Sequence, residues 1–574
     1  MKRRTPPPPP ASASAASAHP TGLEIELKLS LPDADPARIS AQLAALPLLA
    51  GLPVTEQRLT NWYFDTPAQQ LHQARAALRI RRLEADGAAP RWIQTLKTAG
   101  TPQGALSQRG EWESDLLGQA LDPVALQATP PWPGLDADGT LFAQLAPVFV
   151  TEATRTLREV QTADGSRIEL VLDVGAVRAG AQAAIPTAIQ AAIPAAKKAT
   201  RKTSAKSATK ASTITPAKAS AKAAAKTAAT DHPHDQTVLL CELELELLSG
   251  SPDALFALAD QIAQHIAVLP ATLSKAERGW RLLNGTTHAP RRARSPALTP
   301  DMAVPAAAQA VLGDALGQFL DNLGGIQHAD GPELVHQARV GWRRWRSALW
   351  LFKPLLTSHP LPDAAPLRPL LKALGNTRDL DVAGLETLPL WSGAFIDGDA
   401  DRAEQWQAME AAVLAERRIR RAGLLSVLQA PGTGRALLQL ERWLHELPRA
   451  TAQTEATGQP LNKWARARTR RMHQRLAHEV RDLERAADRP SASSDHQHHV
   501  RLLAKRTRYV LQGVATVLPE RRTRRWQDEA TELQTRIGAA RDLMLLATLL
   551  EPLGVDRAIL GFLRGVAAGR MNDD

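Results

Sequence analysis

Residues Leu23 to Leu29, Leu-Glu-Ile-Glu-Leu-Lys-Leu, alternate apolar and charged side chains without a break. In a β-strand successive side chains point to opposite faces, so Glu24, Glu26 and Lys28 share one face and Leu23, Ile25, Leu27 and Leu29 the other. One such strand is an ordinary solvated sheet face. The pattern recurs, however, in Leu78–Leu83 (Arg79, Arg81), in Arg91–Thr98 (Lys97), in Arg109, Glu111, Glu113 and Asp115, in a strand opened by Arg155, and in Arg167–Asp173 (Arg167, Glu169, Asp173). Cys241–Leu247, with Glu242, Glu244 and Glu246, is nearly a mirror of the opening strand. Six or more strands of one parity point to a closed antiparallel barrel, apolar outside beneath helices and charged inside.

Such a lumen, lined by Arg79, Arg81, Lys97, Arg109 and Arg155 together with Glu24, Glu26, Glu111, Glu113, Glu169, Glu242, Glu244 and Glu246, is costly if dry. It is reasonable if filled by water, a polyanion and metal ions. Arginine offers phosphate a planar fork and lysine a point charge. Carboxylates repel phosphate but hold Mg²⁺ or Mn²⁺, which bridge to it. The charged interior therefore suits a metal–polyphosphate complex.

The 574-residue chain has a net charge of +11, which favours a polyanionic partner: nucleic acid, polyphosphate or an anionic membrane surface. Its single cysteine, Cys241, excludes an internal disulfide and a cysteine zinc cluster and suits a cytoplasmic location. No apolar run reaches the roughly 18 residues of a membrane span. The basic start followed by Pro6–Pro10 does not read as a secretory signal. Residues 1–20, rich in Pro, Ala and Ser, read as a disordered tail, and 180–235 as a disordered Lys/Ala-rich insertion capable of non-specific polyanion contact. Short helices are expected over Asp35–Leu49 and Asp253–Val268, and residues 286–300 as a linker. From about Asp301 the periodicity is helical. There His336-x2-Arg339-x3-Arg343-Arg344-x-Arg346 recurs as His498-x2-Arg501-x3-Lys505-Arg506-x-Arg508, and Leu374-Gly375-x2-Arg378-Asp379-Leu380 as Ile537-Gly538-x2-Arg541-Asp542-Leu543. The repeat implies two pseudo-symmetric helical halves. The spacing of 3, 4 and 3 places each basic set in a stripe about 80° wide and about 15 Å long, and two stripes make one basic groove. Trp342, Trp345 and Trp350, at helical spacing, read as core.

The N-terminal residues resemble the CYTH, or triphosphate tunnel metalloenzyme, superfamily. The resemblance rests on Glu24-x-Glu26-x-Lys28, Tyr63-Phe64-Asp65-Thr66, Leu78-Arg79-Ile80-Arg81, Thr95-Leu96-Lys97, Arg109-x-Glu111-x-Glu113, Arg155, Glu169 with Asp173, Glu242-x-Glu244-x-Glu246 and Ser274-Lys275, over residues 21–285. It implies an eight-stranded tunnel acting on a linear triphosphate with Mg²⁺ or Mn²⁺. Carried over residue by residue, Lys28, Arg79, Arg81, Lys97, Arg109, Arg155 and Lys275 hold phosphates. Glu24, Glu26, Glu169, Asp173, Glu244 and Glu246 bind or orient metal. Lys97 and a metal-bound hydroxide stand as alternative bases. Arg158, of opposite parity to Arg155, points out of the tunnel unless a bulge intervenes. Residues 301–570 resemble the CHAD domain, which implies polyphosphate binding without catalysis along His336, Arg339, Arg343, Arg346, His498, Arg501, Lys505 and Arg508.

The expected architecture is thus α+β and multidomain: an antiparallel β tunnel with flanking helices, then an all-α domain. The expected activity is inorganic triphosphate hydrolysis. The alternatives are a non-catalytic polyphosphate scaffold, or a thiamine-triphosphatase or adenylate cyclase reaction in the same tunnel.

Overall fold

The computed structural model describes residues 22–32, 35–98, 100–180, 237–451, 458–485, 490–536 and 539–572. The expected tail and most of the insertion lie outside these residues, as do Ile537 and Gly538 of the second repeat motif and the side chains of Arg541 and Asp542.

The strands are β1 (Leu23–Ser30), β2 (Thr55–Asp65), β3 (Ala76–Ala85), β4 (Arg91–Thr98), β5 (Thr101–Gln103), β6 (Leu106–Leu116), β7 (Ala146–Gln161), β8 (Arg167–Ala179), β9 (Thr237–Ser249) and β10 (Leu269–Pro270). All pairings are antiparallel, in the order β1-β9-β8-β7-β2-β3-β4-β6. Pairing of β6 back onto β1, Arg109 opposite Glu24, closes these eight into a barrel. The two-residue β10 and three-residue β5 are appended at the rim.

The longer helices are α1 (Pro36–Ala44), α2 (Pro252–Ala263), α3 (Lys275–Leu283), α4 (Val304–His328), α5 (Pro332–Leu351), α6 (Arg368–Val382), α7 (Ala400–Leu428), α8 (Pro431–Ala450), α9 (Leu461–Arg485), α10 (Pro490–Gly513), α11 (Glu520–Arg536), α12 (Ala539–Leu550) and α13 (Arg557–Asn572). The alternation fixes which barrel face they cover. Leu27, Leu29, Leu170, Leu172, Leu243 and Leu245 project outward into one core with Ile39 and Leu43 of α1 and Leu255, Leu258 and Ile262 of α2. The charged residues are left inside. A second core joins Leu312, Leu316 and Phe319 of α4 to Trp345 of α5 and Trp443 of α8. Among the described residues no helix is long and apolar enough to cross a membrane.

Several boundaries differ from the sequence reading. Arg155 lies in the middle of β7, which begins at Ala146. The segment before Arg155, including Phe149 and Val150, is buried against neighbouring strands. Helix α1 stops at Ala44 and α2 at Ala263, and the remaining apolar residues, Leu46, Leu49, Ile266 and Val268, fill the same core from turns. Arg158 does point out of the tunnel: the ladder is unbroken there and pairs it with Leu170, a core residue. Residues 286–300 form neither helix nor strand but are pinned. Asn322 brackets Arg291, accepting from its N–H at 3.2 Å and donating to its carbonyl at 2.9 Å.

The two domains are packed together through α8. Leu438 enters the tunnel-domain core. Gly434 lies so close to the loop before β10 that an added Cβ would stand 1.7 Å from the Val268 carbonyl oxygen. Glu441, fully buried, accepts from the Ala105 N–H at 3.0 Å, just after the left-handed turn at Gly104 (φ +71°). Its other oxygen has no hydrogen-bond partner among the described residues, and burial pushes the carboxyl up to about 8. A raised carboxyl pKa means that between the ordinary value and about 8 the folded chain keeps a proton that the unfolded chain releases. Stability therefore falls as pH rises through that window. Glu441→Gln should flatten this dependence: the variant is expected to be more stable than the parent by about 1–3 kcal/mol at pH 9, with the gap closing near pH 5. Denaturant melts across pH check this.

Candidate active site

The inner wall is a set of ion pairs whose membership follows the strand registers. Opposite Glu24 stand Arg109 on β6 and, one strand further, Lys97 on β4. The Lys97 ammonium lies 2.9 Å from both Glu24 and Glu111, and Arg109 Nε 2.7 Å from Glu24. Burial alone would raise the Glu24 carboxyl, but Lys97 and Arg109 outweigh it and hold Glu24 well below the usual carboxylate range. Glu26 accepts from Arg109 and, at 2.6 Å, from Lys28, which also pairs with Glu244.

A second cluster forms at the end of the barrel where β1 stops and β9 starts. Asp173, Glu242 and Glu244 have oxygens within 4.8 Å of one another and all three are buried, the spacing of a metal site. That space is filled by the Lys275 ammonium, at 2.8, 2.6 and 2.9 Å from the three carboxylates. Ser274 caps α3, accepting from the Glu277 N–H at 3.1 Å, and so delivers Lys275 into the barrel. Arg155 adds a two-pronged contact to Asp173 at 2.8 and 2.7 Å, and Arg278 binds Glu242 at 2.6 Å. Despite burial, Lys275 and Arg155 hold Asp173 down to about 2.

Between these clusters the wall is unbalanced in two places. Arg81 is half-buried, hydrogen-bonded to Asn61 at 2.9 Å, and makes no ion pair among the described residues. Burial, then the charges of Arg79 and Arg155, bring it down to about 10. Glu246 makes no ion pair among the described residues and is pushed up to about 8 by burial and by Glu24, Glu111 and Glu169, against the opposing charge of Lys97. Glu169, its partner across the β8–β9 ladder, is likewise raised, chiefly by burial. The lumen thus carries an unpaired cation at Arg81, with Arg79 only loosely paired beside it at 3.6 and 3.7 Å from Glu111 and Glu113, next to a cation-deficient locus at Glu246 and Glu169. A divalent ion fits the second, because all-oxygen donors of like charge are what Mg²⁺ and Mn²⁺ take.

The tunnel residues expected from sequence line one cavity of about 2460 Å³, except Glu242, which is fully buried against Lys275 and Arg278. They are sorted differently from the expectation: Asp173 and Glu244 are neutralised by protein cations, whereas Glu169 and Glu246 are not. Sequence reasoning missed Arg278 and Asn61. Lys275 and Arg278 stand three apart on one helix face, a spacing that could have flagged the arginine.

In the helical domain α5 packs beside α10, the two helices that carry the basic stripes. His336, Arg339, Arg343 and Arg346 make no ion pair among the described residues. Burial and then Arg378 lower His336, while burial and then Arg343 lower Arg339. Arg339 reaches over Gly375 of α6, where a Cβ would stand 2.9 Å from its guanidinium. The groove thereby gains a use for the repeat's glycine. Asp381 pairs instead with Arg417, at 2.8 Å. On α10, His498 is exposed, Arg501 and Lys505 are half-buried, and Arg508 lies 4.8 Å over the Tyr509 ring. Arg344 departs from the stripe: it is buried and binds Asp314 at 2.7 Å. Trp345 is core as expected, but Trp350 carries Arg506 at 5.3 Å and Arg468 at 5.9 Å over its ring.

A model of the CYTH domain matches residues 22–188, and a model of the CHAD domain matches residues 310–551. The chain carries a CYTH domain followed by a CHAD domain. The CYTH barrel continues beyond the matched span through β9 and α3, which close it. CYTH domains are metal-dependent triphosphate tunnels of triphosphatase or cyclase type. The chain is similar to the crystal structure of the CHAD domain from the plant Ricinus communis (28% identity, 50% of this chain and 92% of that one, TM-score 0.42). It is also similar to a candidate adenylyl cyclase from Hippeastrum described as revealing a dominant triphosphatase activity (15% identity, 45% and 95% covered, TM-score 0.27). A candidate adenylate cyclase from Bacillus halodurans is a third (16%, 44% and 96%, TM-score 0.24). At these scores the family models carry the assignment.

Proposed function

We propose that the CYTH tunnel hydrolyses inorganic triphosphate to pyrophosphate and phosphate with Mg²⁺ or Mn²⁺, and that the CHAD domain binds polyphosphate. The observation that carries the reading is the pair of unbalanced loci. Arg81 makes no ion pair and Arg79 meets Glu111 and Glu113 only at 3.6 and 3.7 Å, while Glu246 and Glu169 make no ion pair with a cation among the described residues, all within one lumen, and a metal–triphosphate complex supplies what each lacks. Glu246 and Glu169, with Glu24 and Glu26 alongside, would hold the ion, which when bound neutralises phosphoryl charge and acidifies water. The arginines orient the phosphoryl oxygens and stabilise charge as the anhydride breaks. Lys28 and Lys275 face the same lumen and receive charge on the departing pyrophosphate. Lys97, held between Glu24 and Glu111, is placed as an electrostatic group rather than a base.

The test is phosphate release by the purified chain from tripolyphosphate, ATP, thiamine triphosphate and long-chain polyphosphate, with Mg²⁺ or Mn²⁺ and with chelator. Metal-dependent release, fastest from tripolyphosphate, is expected. A folded protein that releases none leaves a binding scaffold, and cyclic AMP from ATP favours the cyclase reading. For the CHAD domain, Arg339→Glu with Arg501→Glu should reduce retention of long-chain polyphosphate on a filter by about tenfold or more while tripolyphosphate turnover stays within about twofold. Unchanged retention overturns the groove.

A further inference from the structure

The lumen does not end at the lysines. The same cavity runs out of the barrel at the end marked by Lys28 and Lys275 and continues between residues 289–297 and the α4 face bearing Gly313, Asp314, Gly317 and Asp321. At about 2460 Å³ the whole exceeds the few hundred to about 1,000 Å³ of an ordinary small-ligand pocket. The outer part is a built vestibule. Arg291 is bracketed by Asn322, and the Arg294 carbonyl accepts from the buried Arg344 at 2.7 Å.

The charge of this vestibule is one-sided. Its carboxylates are consumed: Asp314 by Arg291 at 3.0 Å and Arg344 at 2.7 Å, Asp321 by Arg291 at 2.8 Å and by the Thr272 hydroxyl. Its remaining cations are not. The Arg294 guanidinium is exposed and makes no hydrogen bond or ion pair among the described residues, although its main chain is fixed. Arg292 and Arg281 meet carboxylates only at 3.4 and 3.6 Å. One unpaired arginine, Arg294, with the loosely paired Arg292 and Arg281 beside it, thus lines the way out of a tunnel whose last inner residues are lysines.

We propose that this vestibule binds the phosphates of a linear polyphosphate that lie beyond the three held in the tunnel, with Arg294 as its main contact and Arg292 and Arg281 beside it. The inference rests on the triphosphatase reading of the tunnel and extends what that site binds to linear chains longer than tripolyphosphate. Such a chain carries charge on every unit and no bulky end, so it can thread an open mouth and exchange water for successive guanidinium forks.

Arg292→Glu/Arg294→Glu changes exposed side chains outside the tunnel. It is compared with the parent, both carrying Arg339→Glu/Arg501→Glu so that the CHAD groove does not contribute. Two quantities are measured: kcat/KM for tripolyphosphate, and inhibition of that turnover by linear polyphosphates of graded length, which reads binding whether or not the longer chains are cleaved. In the parent, longer chains are expected to bind more tightly than tripolyphosphate. The variant should lose that advantage by about fivefold with tripolyphosphate kcat/KM unchanged. An advantage unaffected by the variant, or an equal loss for tripolyphosphate, overturns the vestibule while leaving the tunnel reading standing. Absence of tripolyphosphate turnover in the parent overturns both.

Discussion

Lys275→Met is expected to destabilise the CYTH domain by about 3–5 kcal/mol, the usual cost of removing one partner from a buried ionic cluster. Among the described residues, Lys275 is the only group that touches Asp173, Glu242 and Glu244 together. Without it, three buried carboxylates with oxygens within 4.8 Å face one another. Arg155, Lys28 and Arg278 still reach one or two of them, so the barrel should remain closed at moderate temperature. The vacated position has the spacing and donor chemistry of a divalent-cation site. Mg²⁺ should therefore raise the melting temperature of the variant by more than it raises that of the parent, and chelator should widen the gap between them. If the variant melts with the parent, or Mg²⁺ shifts both equally, Lys275 is not the ion that balances this cluster.

The second large effect is on turnover. Glu24→Gln/Glu26→Gln should lower tripolyphosphate turnover by about 10²-fold or more, the range expected when a metal centre loses its supporting carboxylates. The affinity for tripolyphosphate should not fall with it. Glu24 and Glu26 at present absorb the charge of Lys97, Arg109 and Lys28. Neutral glutamines release those cations to the substrate, so binding measured by calorimetry in chelator should be equal or tighter than in the parent. A parallel loss of binding and turnover would instead mean that the tunnel had collapsed, and intact turnover would remove both glutamates from the chemistry.

The barrel was legible because its signal is local. From Leu23 to Leu29 every residue agrees on a face, and β3, β4, β6, β8 and β9 repeat the agreement. The start of β7 was not legible, because Ala146–Val150 is a mixed apolar run without alternation, and only pairing with β2 and β8 makes it a strand. The helical repeat was legible as spacing, and the structure packs the two helices that carry it against each other. Arg344, inside the motif, turned inward to Asp314 because it lies on the side of α5 facing α4.

Sequence parity by itself determined which side chains enter the lumen, since a pleated strand leaves each residue only two directions. It could not determine which of them neutralise one another. Ion pairing is decided over a few ångströms by register and by elements remote in the chain. Lys275 reaches three carboxylates only because α3 is capped at the barrel's rim, and Arg81 and Glu246 go without because no opposite charge stands across from them. Only the tertiary structure therefore separated carboxylates already satisfied by the protein from those left for a metal. Only the docking of α4 and the 289–297 segment over one mouth made a vestibule there.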